Sequence, residues 1–566
     1  MERLLLRLAA VVSVSIMICT PAAGVWTPNG LPVSMWAELD ESPASIVATG
    51  TGGAIIAYAV VDEFGGEGKY RQLDETGALG WQTGPECGGS GGGPVKAIPD
   101  EAGGVWAVSS GVWDGHLLCL TRILSDGSFY GCDLGDFGDG WNQFVSDLAQ
   151  DGSGGVIAAW DEWRGSASTT GFDIEAQKDN AAGDALWNAN GVAVCGAAGD
   201  QTGPRIVSDG AGGGIVIWHD NRRGGSIKDI YAQRVAAAGG TVWSVDGVAV
   251  YAAPYIRTFD AISDGVGGAI IVWYEWRTGP GEDIFAQRID GDGNLLWATT
   301  GVVVCDETNA QASPQLIEDG LGGAIVAWLD SRTGTNQVYA QRLDANGGAL
   351  WSEDGILVSG PGGPCSGLRI VADGAGGAIM AWSDGRGVDL DIYAQHIGAD
   401  GALKWAAGGA AVCTASGDQD DLRAAADRFY GAVLAWSDYR SGSYYADLYA
   451  ARISPSGVVT GIGGEGDQAP AGGFVLHQNY PNPFNPATTI RYSIAERSHV
   501  TLVIYNAEGE RVRMLVDEVQ SPDAAGAAVV WDGKNDLGSE VSSGVYFCKL
   551  TAGGSARAMK KVVYLK

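Results

Sequence analysis

The sequence predicts an all-β protein, an eight-bladed β-propeller followed by a small Ig-like β-sandwich, and three observations carry that prediction. Near-copies of 319–351, DGLGGAIVAWLDSRTGTNQVYAQRLDANGGALW, recur along most of the chain, the mark of a repeat architecture. The Trp that closes GGAIVAW returns at Trp160, Trp218, Trp273, Trp328, Trp382 and Trp436, in steps of 58, 55, 55, 54 and 54 residues. A second Trp keeps the same beat at Trp187, Trp243, Trp297, Trp351 and Trp405. One unit holds four short apolar or alternating runs, at 301–305, 314–319, 323–328 and 337–344 in the sixth copy. Asp-Gly, Gly-Gly and Asn-Gly clusters separate them, and no segment carries a 3.6-residue period, so the unit reads as four strands joined by tight turns, a propeller blade.

The weaker copies set the size of the ring. In the first, 51–58 carries Tyr58 in place of the Trp, and 73–81 matches the end of the unit. The second runs from 100–106 to a degenerate tail at 122–130, and the eighth ends at Arg452. The stretch 26–33 resembles the opening run of each unit, so the chain starts and ends in phase. Eight blades follow; seven, with the second copy recast as an insertion, is the alternative. The expected boundaries are a signal peptide at 1–24, the propeller at 25–453, a linker at 454–473 and the C-terminal sandwich at 474–566.

Composition bounds the function. With 46% hydrophobic and 18% charged residues the chain is globular, and its 89 glycines are accounted for by repeated turns. A net charge of −32 lacks the basic footprint of nucleic-acid binding. Arg3 and Arg7, the apolar run 8–18 and a small-residue stretch ending at Gly24 form the tripartite pattern of a secretory leader. No later stretch reaches the ~18 apolar residues a membrane helix requires. Eight cysteines follow the leader without a CxxC spacing, so no metal site is predicted. Cys195, Cys305 and Cys413 fall at one repeat position in non-adjacent units, which suits small buried side chains. Cys119 and Cys132 flank one hairpin and are the candidate disulfide.

The most regular chemical signal is W-x-(D/E)-x-R after the third run. The acids are Glu162, Asp220, Glu275, Asp330, Asp384 and Asp438, and the arginines Arg164, Arg222, Arg277, Arg332, Arg386 and Arg440. Six carboxylates on one face could hold a cation or serve catalysis. Identity in every unit favours structural pairs instead, Asp220 with Arg222, Asp330 with Arg332, Asp384 with Arg386 and Asp438 with Arg440, because one active site needs residues that differ. The variable position of the same turn carries Trp163, Trp276 and Tyr439 where other copies have Asn221, Ser331 and Gly385. A position that accepts Gly is exposed, so these aromatics are the candidate ligand contacts, for a sugar or a protein. No catalytic residue or cofactor is assigned: five His and no G-x-S-x-G or H-E-x-x-H give nucleophilic or metal catalysis no footing. His219 and His396 read as ordinary drift of the repeat.

Two resemblances extend this reading. The stretch 73–81, LDETGALGW, resembles the D-x-x-G-x-x-x-W element of quinoprotein-type eight-bladed propellers, but the vicinal cysteines of the quinone enzymes are missing, so the likeness implies fold and not cofactor. At the C-terminal end stand Asn479-Tyr480-Pro481-Asn482-Pro483-Phe484-Asn485-Pro486, then Trp531-Asp532-Gly533-Lys534-Asn535, Ser543-Gly544-Val545-Tyr546, and a close at Lys560, Lys561 and Lys566. This pattern resembles the C-terminal sorting domains of type IX secretion substrates and the related Ig-like domain of flagellar hook-capping proteins. The resemblance implies a type IX-like secretion machinery as partner and a place at the outer-membrane surface or outside the cell. The expected function is an exported binding module for an extracellular polysaccharide or protein. A carbohydrate-active hydrolase or lyase, or a purely structural surface protein, are the alternatives.

Overall fold

The computed structural model describes residues 29–35, 39–49, 53–62, 65–75, 77–83, 94–110, 118–133, 143–163, 171–188, 191–225, 228–253, 256–276, 281–442, 444–459, 475–476, 479, 484, 487–494, 497–506, 510–520, 527–552 and 556–564. Among the described residues there are 39 strands and no helix. Those of the repeat region form eight four-stranded antiparallel sheets. Sheets 1 to 7 are consecutive meanders, and sheet 8 is built from both ends of the region. Its inner three strands are Gln419–Ala426, Ala432–Asp438 and Asp447–Ile453, while its outer strand is Leu31–Ser34, with Leu31 opposite Ala450.

The first strands of the sheets are Asp40–Ala48, Pro94–Pro99, Gln143–Gln150, Gln201–Ser208, Ile256–Ser263, Gln311–Glu318, Cys365–Ala372 and Gln419–Ala426. Each packs against the next, and the last packs against the first, so the cycle is closed around a channel. Residues of the second copy make a complete sheet of their own, Pro94–Pro99, Val105–Ser110, Leu118–Ile123 and Phe129–Asp133. The unit read from the sequence, however, straddles two sheets. Val302–Cys305, its opening run, is the outer strand of sheet 5, where Cys305 lies opposite Ile284. Leu31–Ser34, which overlaps the stretch read at 26–33 as an opening run, is likewise an outer strand, the one that completes sheet 8. A repeat has no intrinsic start, and only the closure of the ring fixes where one sheet ends.

Second strands are apolar on both faces over most of their length because neighbouring sheets cover both of those faces. Ala324–Asp330 is buried at every position but one, and the six Trp of the first column are fully buried. Each such Trp rests on a glycine of the outer strand's approach. Gly355 has φ +85°, and a Cβ there would lie 2.5 Å from the Trp328 ring. Gly30 does the same for Trp436, with φ +79° and 2.5 Å, although 406 positions separate the two in the numbering. The C-terminal segment has a core of its own. A three-stranded sheet (Val475–Leu476, Thr488–Ser493, Ala527–Trp531) and a four-stranded sheet (Arg511–Gln520, Ser498–Tyr505, Gly544–Ala552, Ala556–Tyr564) bury Phe484, Ile490, Leu502, Trp531, Leu550 and Tyr564 together.

Gly30→Val places a branched side chain in a left-handed backbone and against Trp436. Overpacking of this kind costs ~1–3 kcal/mol, so thermal unfolding of the repeat region is expected to shift to lower temperature. An unchanged transition would mean that Leu31–Ser34 does not clasp sheet 8.

Candidate functional site

Four of the six recurring acids, Asp220, Asp330, Asp384 and Asp438, lie inside hydrogen-bonded knots. Asp330 is fully buried; its Oδ2 accepts from Trp328 Nε1 at 2.9 Å and from Arg332 Nη2 at 2.6 Å, and its Oδ1 accepts the Arg332 backbone N–H at 2.9 Å. Arg332 also donates to the Asp354 carbonyl at 2.8 Å and lies 4.0 Å over the Tyr339 ring. Asp220 with Arg222, Asp384 with Arg386 and Asp438 with Arg440 repeat this arrangement, each with a 2.6 Å ion pair. In sheet 8 the carbonyl that the arginine reads is Asn29 O, 2.6 Å from Arg440 Nη2, so the same knot fastens the clasp. Burial pushes the Asp384 carboxyl up, but hydrogen bonds from Arg386 and Trp382 outweigh it and hold the group below its ordinary value. These carboxylates are buried and enclosed by their own partners.

A second column stitches each sheet to the next. In the D-x-x-G-G turn of sheet 6, Asp319 Oδ1 accepts the N–H groups of Leu321 and Gly323, both at 2.8 Å, and Oδ2 accepts from Arg342 at 2.9 Å. Arg342 Nη1 then reaches the Ala399 carbonyl of sheet 7 at 2.9 Å, which also accepts from Trp351 Nε1 at 3.2 Å. Arg288 and Trp297 share Ala345 O in the same way, and Arg234 and Trp243 share Gly291 O. His396 is therefore more than drift: Nε2 lies 2.9 Å from Asp373 Oδ2, and Nδ1 3.2 Å from the Pro455 carbonyl, the arginine's two duties. In sheet 1 both partners turn neutral together. Thr49 Oγ1 takes the turn N–H of Gly53 at 3.0 Å, and Gln72 reaches Ser125 O at 3.4 Å.

The structure does not gather the aromatic candidates. Trp163 ends the second strand of sheet 3, half-buried, with its ring edge-to-face on Phe172 at 5.2 Å. Trp276 in sheet 5 is 51% exposed. Tyr439 in sheet 8 is half-buried, its N–H donating to Asp418 O at 3.0 Å. The loops between second and third strands leave every sheet at the same end, so all three lie on one face, in separate sheets. Sequence reasoning passed over other members of that face: Tyr444 is 99% exposed, Tyr445 43% and Val388 102%. Their loops vary in every copy, which is the signal that marks them. Arg164 and Arg277 lie outside the described residues, as do the side chains of Cys119 and Cys132.

The channel is lined by a ring that the repeat reading missed. Every first strand carries a register shift or bulge; directly after it stand Ser45, Lys96, Asp147, Arg205, Gln315, Arg369 and Arg423, and in sheet 5 Asp260 stands one residue further on, after Phe259. Register makes these eight positions equivalent, each opposite the same position of the second strand. Several reach the next sheet: Lys96 pairs with Asp147, Gln315 Nε2 donates to Leu368 O at 2.8 Å, and Arg423 Nε donates to Ala44 O at 2.9 Å. Arg205 and Asp260 stand 4.0 Å apart with side chains 43% and 34% exposed. Burial raises the Asp260 pKa, and the charges of Lys96 and Asp147, three and two sheets away, act on it as well. Groups surrounded by protein yet open to solvent, and coupled across non-adjacent sheets, share one channel. Beside its mouth, burial and then Asp421, Asp418 and Asp40 push Asp420 up to about 6.

In the C-terminal segment, Asn479 is buried and donates to Thr488 Oγ1 at 2.9 Å. Phe484 packs 5.2 Å from Trp531 and 4.9 Å from Tyr564. Gly533 has φ +65°, and a Cβ there would stand 2.8 Å from the Tyr564 ring, which accounts for the Trp-Asp-Gly motif. Lys560 and Lys561 lie on the edge strand Ala556–Tyr564, half-buried and exposed. Tyr480, Pro481, Asn482, Pro483, Asn485, Pro486 and Lys566 lie outside the described residues.

Residues 478–565 match the secretion system C-terminal sorting domain family. The sorting domain marks this protein for export through a type IX secretion system, to the cell surface or the extracellular space. A search of curated proteins finds no match to this sequence. Similar solved structures include the β-propeller domain of the Trilobed protease from Pyrococcus furiosus, at 9% identity and TM-score 0.35, covering 61% of this chain and 91% of that one. Polysaccharide lyase Uly1 is similar at 10% identity and TM-score 0.39, covering 63% and 90%. A protein of unknown function from Dyadobacter fermentans DSM 18053 is similar at 9% identity and TM-score 0.35, covering 66% and 98%.

His219, buried with its ring edge-to-face on Phe259 of sheet 5 at 4.9 Å, supplies a pH test. Burial, with a smaller push from Lys228, lowers its pKa from 6.5 to about 4. The folded state thus refuses a proton that the unfolded chain takes up, and stability is lost as pH falls from 6.5 through about 4. His219→Leu, which installs the residue of the equivalent Leu329, is expected to remove that loss, up to roughly 3 kcal/mol at pH 4 relative to pH 7.5. Parallel pH profiles of urea unfolding for parent and variant would contradict a buried neutral imidazole.

Proposed function

We propose that this protein is an exported binding protein: an eight-bladed β-propeller that captures an extracellular ligand, carried by an Ig-like sorting domain. On this reading 1–24 is a signal peptide, 25–453 the propeller, 454–473 a linker and 474–566 the sorting domain. A saccharide is the leading ligand and a protein the other. The observation that carries the reading is the set of exposed aromatics on one face, Trp276, Tyr444 and Tyr445, on loops whose frame is fixed by the buried knots beneath them. Flat aromatic rings held in place supply large contact area for a sugar face or a protein anchor at low entropic cost. Trp163 and Tyr439, half-buried at the same end of their sheets, extend this face. A second reading, hydrolysis or elimination on a saccharide, draws on Asp420, whose raised pKa suits a proton donor beside ionised neighbours.

A glycan array probed with the purified chain tests the reading. The parent is expected to bind at least one polysaccharide, and the Trp276→Ala, Tyr444→Ala variant to lose at least tenfold in affinity with its melting temperature unchanged, since both side chains are solvent-exposed. A parent that binds no glycan contradicts the saccharide reading, and turnover of a bound glycan that disappears in Asp420→Asn would replace binding by catalysis.

A further inference from the structure

We propose that the channel holds an oxyanion, a carboxylate, phosphate or sulfate group, between Arg369 and Arg423. These residues occupy equivalent positions on Cys365–Ala372 and Gln419–Ala426, first strands that pack directly together. Backbone carbonyls fix both side chains. Arg369 Nη1 donates to Leu368 O at 2.7 Å, and Arg423 donates through Nε to Ala44 O at 2.9 Å and through Nη1 to Leu422 O at 3.0 Å and Asp421 O at 3.2 Å. Among the described residues, Arg369 Nε and Nη2 and Arg423 Nη2 have no acceptor, so each guanidinium keeps part of its fork free.

The pair departs from the way this protein treats its other cations. Among the described arginines of the ring, only Arg71, Arg369 and Arg423 have no carboxylate within 4.0 Å, and Arg71 is matched to Gln82 Oε1 at 2.9 Å. Burial, then the charge of Arg423, pushes Arg369 down to about 10, so the two cations repel in a chain of net charge −32. Asp421 and Asp260 act on Arg369 from a distance, and neither carboxylate bonds to it. Asp421 itself sits at φ +49°, a strained backbone for a residue with a Cβ, at the bulge that aims Arg423. Two fixed, partly unsatisfied guanidinium forks at equivalent positions of adjacent first strands suit the oxygens of one oxyanion, which guanidinium binds bidentately through charge-assisted hydrogen bonds.

The test is calorimetric titration of the purified full chain with sodium phosphate, sodium sulfate and sodium glucuronate at matched ionic strength, with glucose as the neutral comparator. One oxyanion or more is expected to bind at one site while glucose does not, with affinity falling at least tenfold in Arg369→Gln and in Arg423→Gln. Arg71→Gln, which removes the same charge elsewhere, is expected to bind as the parent does. Binding of glucuronate without the inorganic ions assigns the site to a sugar-borne carboxylate, and binding of phosphate or sulfate alone assigns it to the free ion. A parent that binds none of the three, or arginine variants that bind as the parent does, would overturn the proposal. The site uses none of the exposed aromatics, so its failure and that of glycan capture by the face are read separately.

Discussion

The ring depends on a buried carboxylate in each D-x-x-G-G turn and on the donor that neutralises it. Asp319 closes its own turn through two backbone N–H groups and holds Arg342, whose far end reaches the hairpin of the next sheet. One side chain thus links local turn geometry to the assembly of neighbouring sheets. A buried carboxylate without its partner is strongly unfavourable, and the protein varies the two together. Asp151 meets Lys178, Asp373 meets His396, and in sheet 1 Thr49 stands where Gln72 replaces the cation. The charge at the turn and the charge on the third strand are one choice made sheet by sheet.

What the sequence made legible was everything that repeats. The 54-residue period, the turn chemistry and the two Trp columns gave the strands, and the identity of the D-x-R turns from copy to copy pointed to structure before a hydrogen bond was seen. The start of the unit was not legible, because the outer strand and the following first strand are adjacent in the chain and belong to different sheets. The channel ring escaped for the opposite reason: Asp147, Arg205, Asp260, Gln315, Arg369 and Arg423 change among Asp, Arg and Gln from copy to copy and sit just past a bulge that breaks strand alternation. Aligned copies do carry the signal, a polar and variable column before an apolar one. The side chains of the candidate Cys119 and Cys132 pair and most of the Asn-Tyr-Pro-Asn-Pro-Phe stretch are not described and stay as sequence expectations.

Fold and function therefore divide along the same line. Positions that recur are sealed by their own partners and hold the ring closed, while positions that depart from the repeat line the channel and the loops of one face. The sorting domain keeps a core of its own around Trp531, Phe484 and Tyr564, so the residues that direct export and those that form the ring are separate sets. An acidic chain that pairs its arginines with carboxylates and leaves two of them, on adjacent first strands, without such a partner has placed positive charge where the repeat does not ask for it.

The most direct measurement compares urea unfolding of Asp319→Ala and Arg369→Gln with the parent at pH 7. A repeated, buried partner is expected to cost ~3–5 kcal/mol when removed, whereas removing one of two repelling arginines is expected to leave stability unchanged or raised, the signature of a residue kept for binding. Equal and large losses in both variants would place Arg369 among the supports of the ring and contradict the division between repeating structure and departing function.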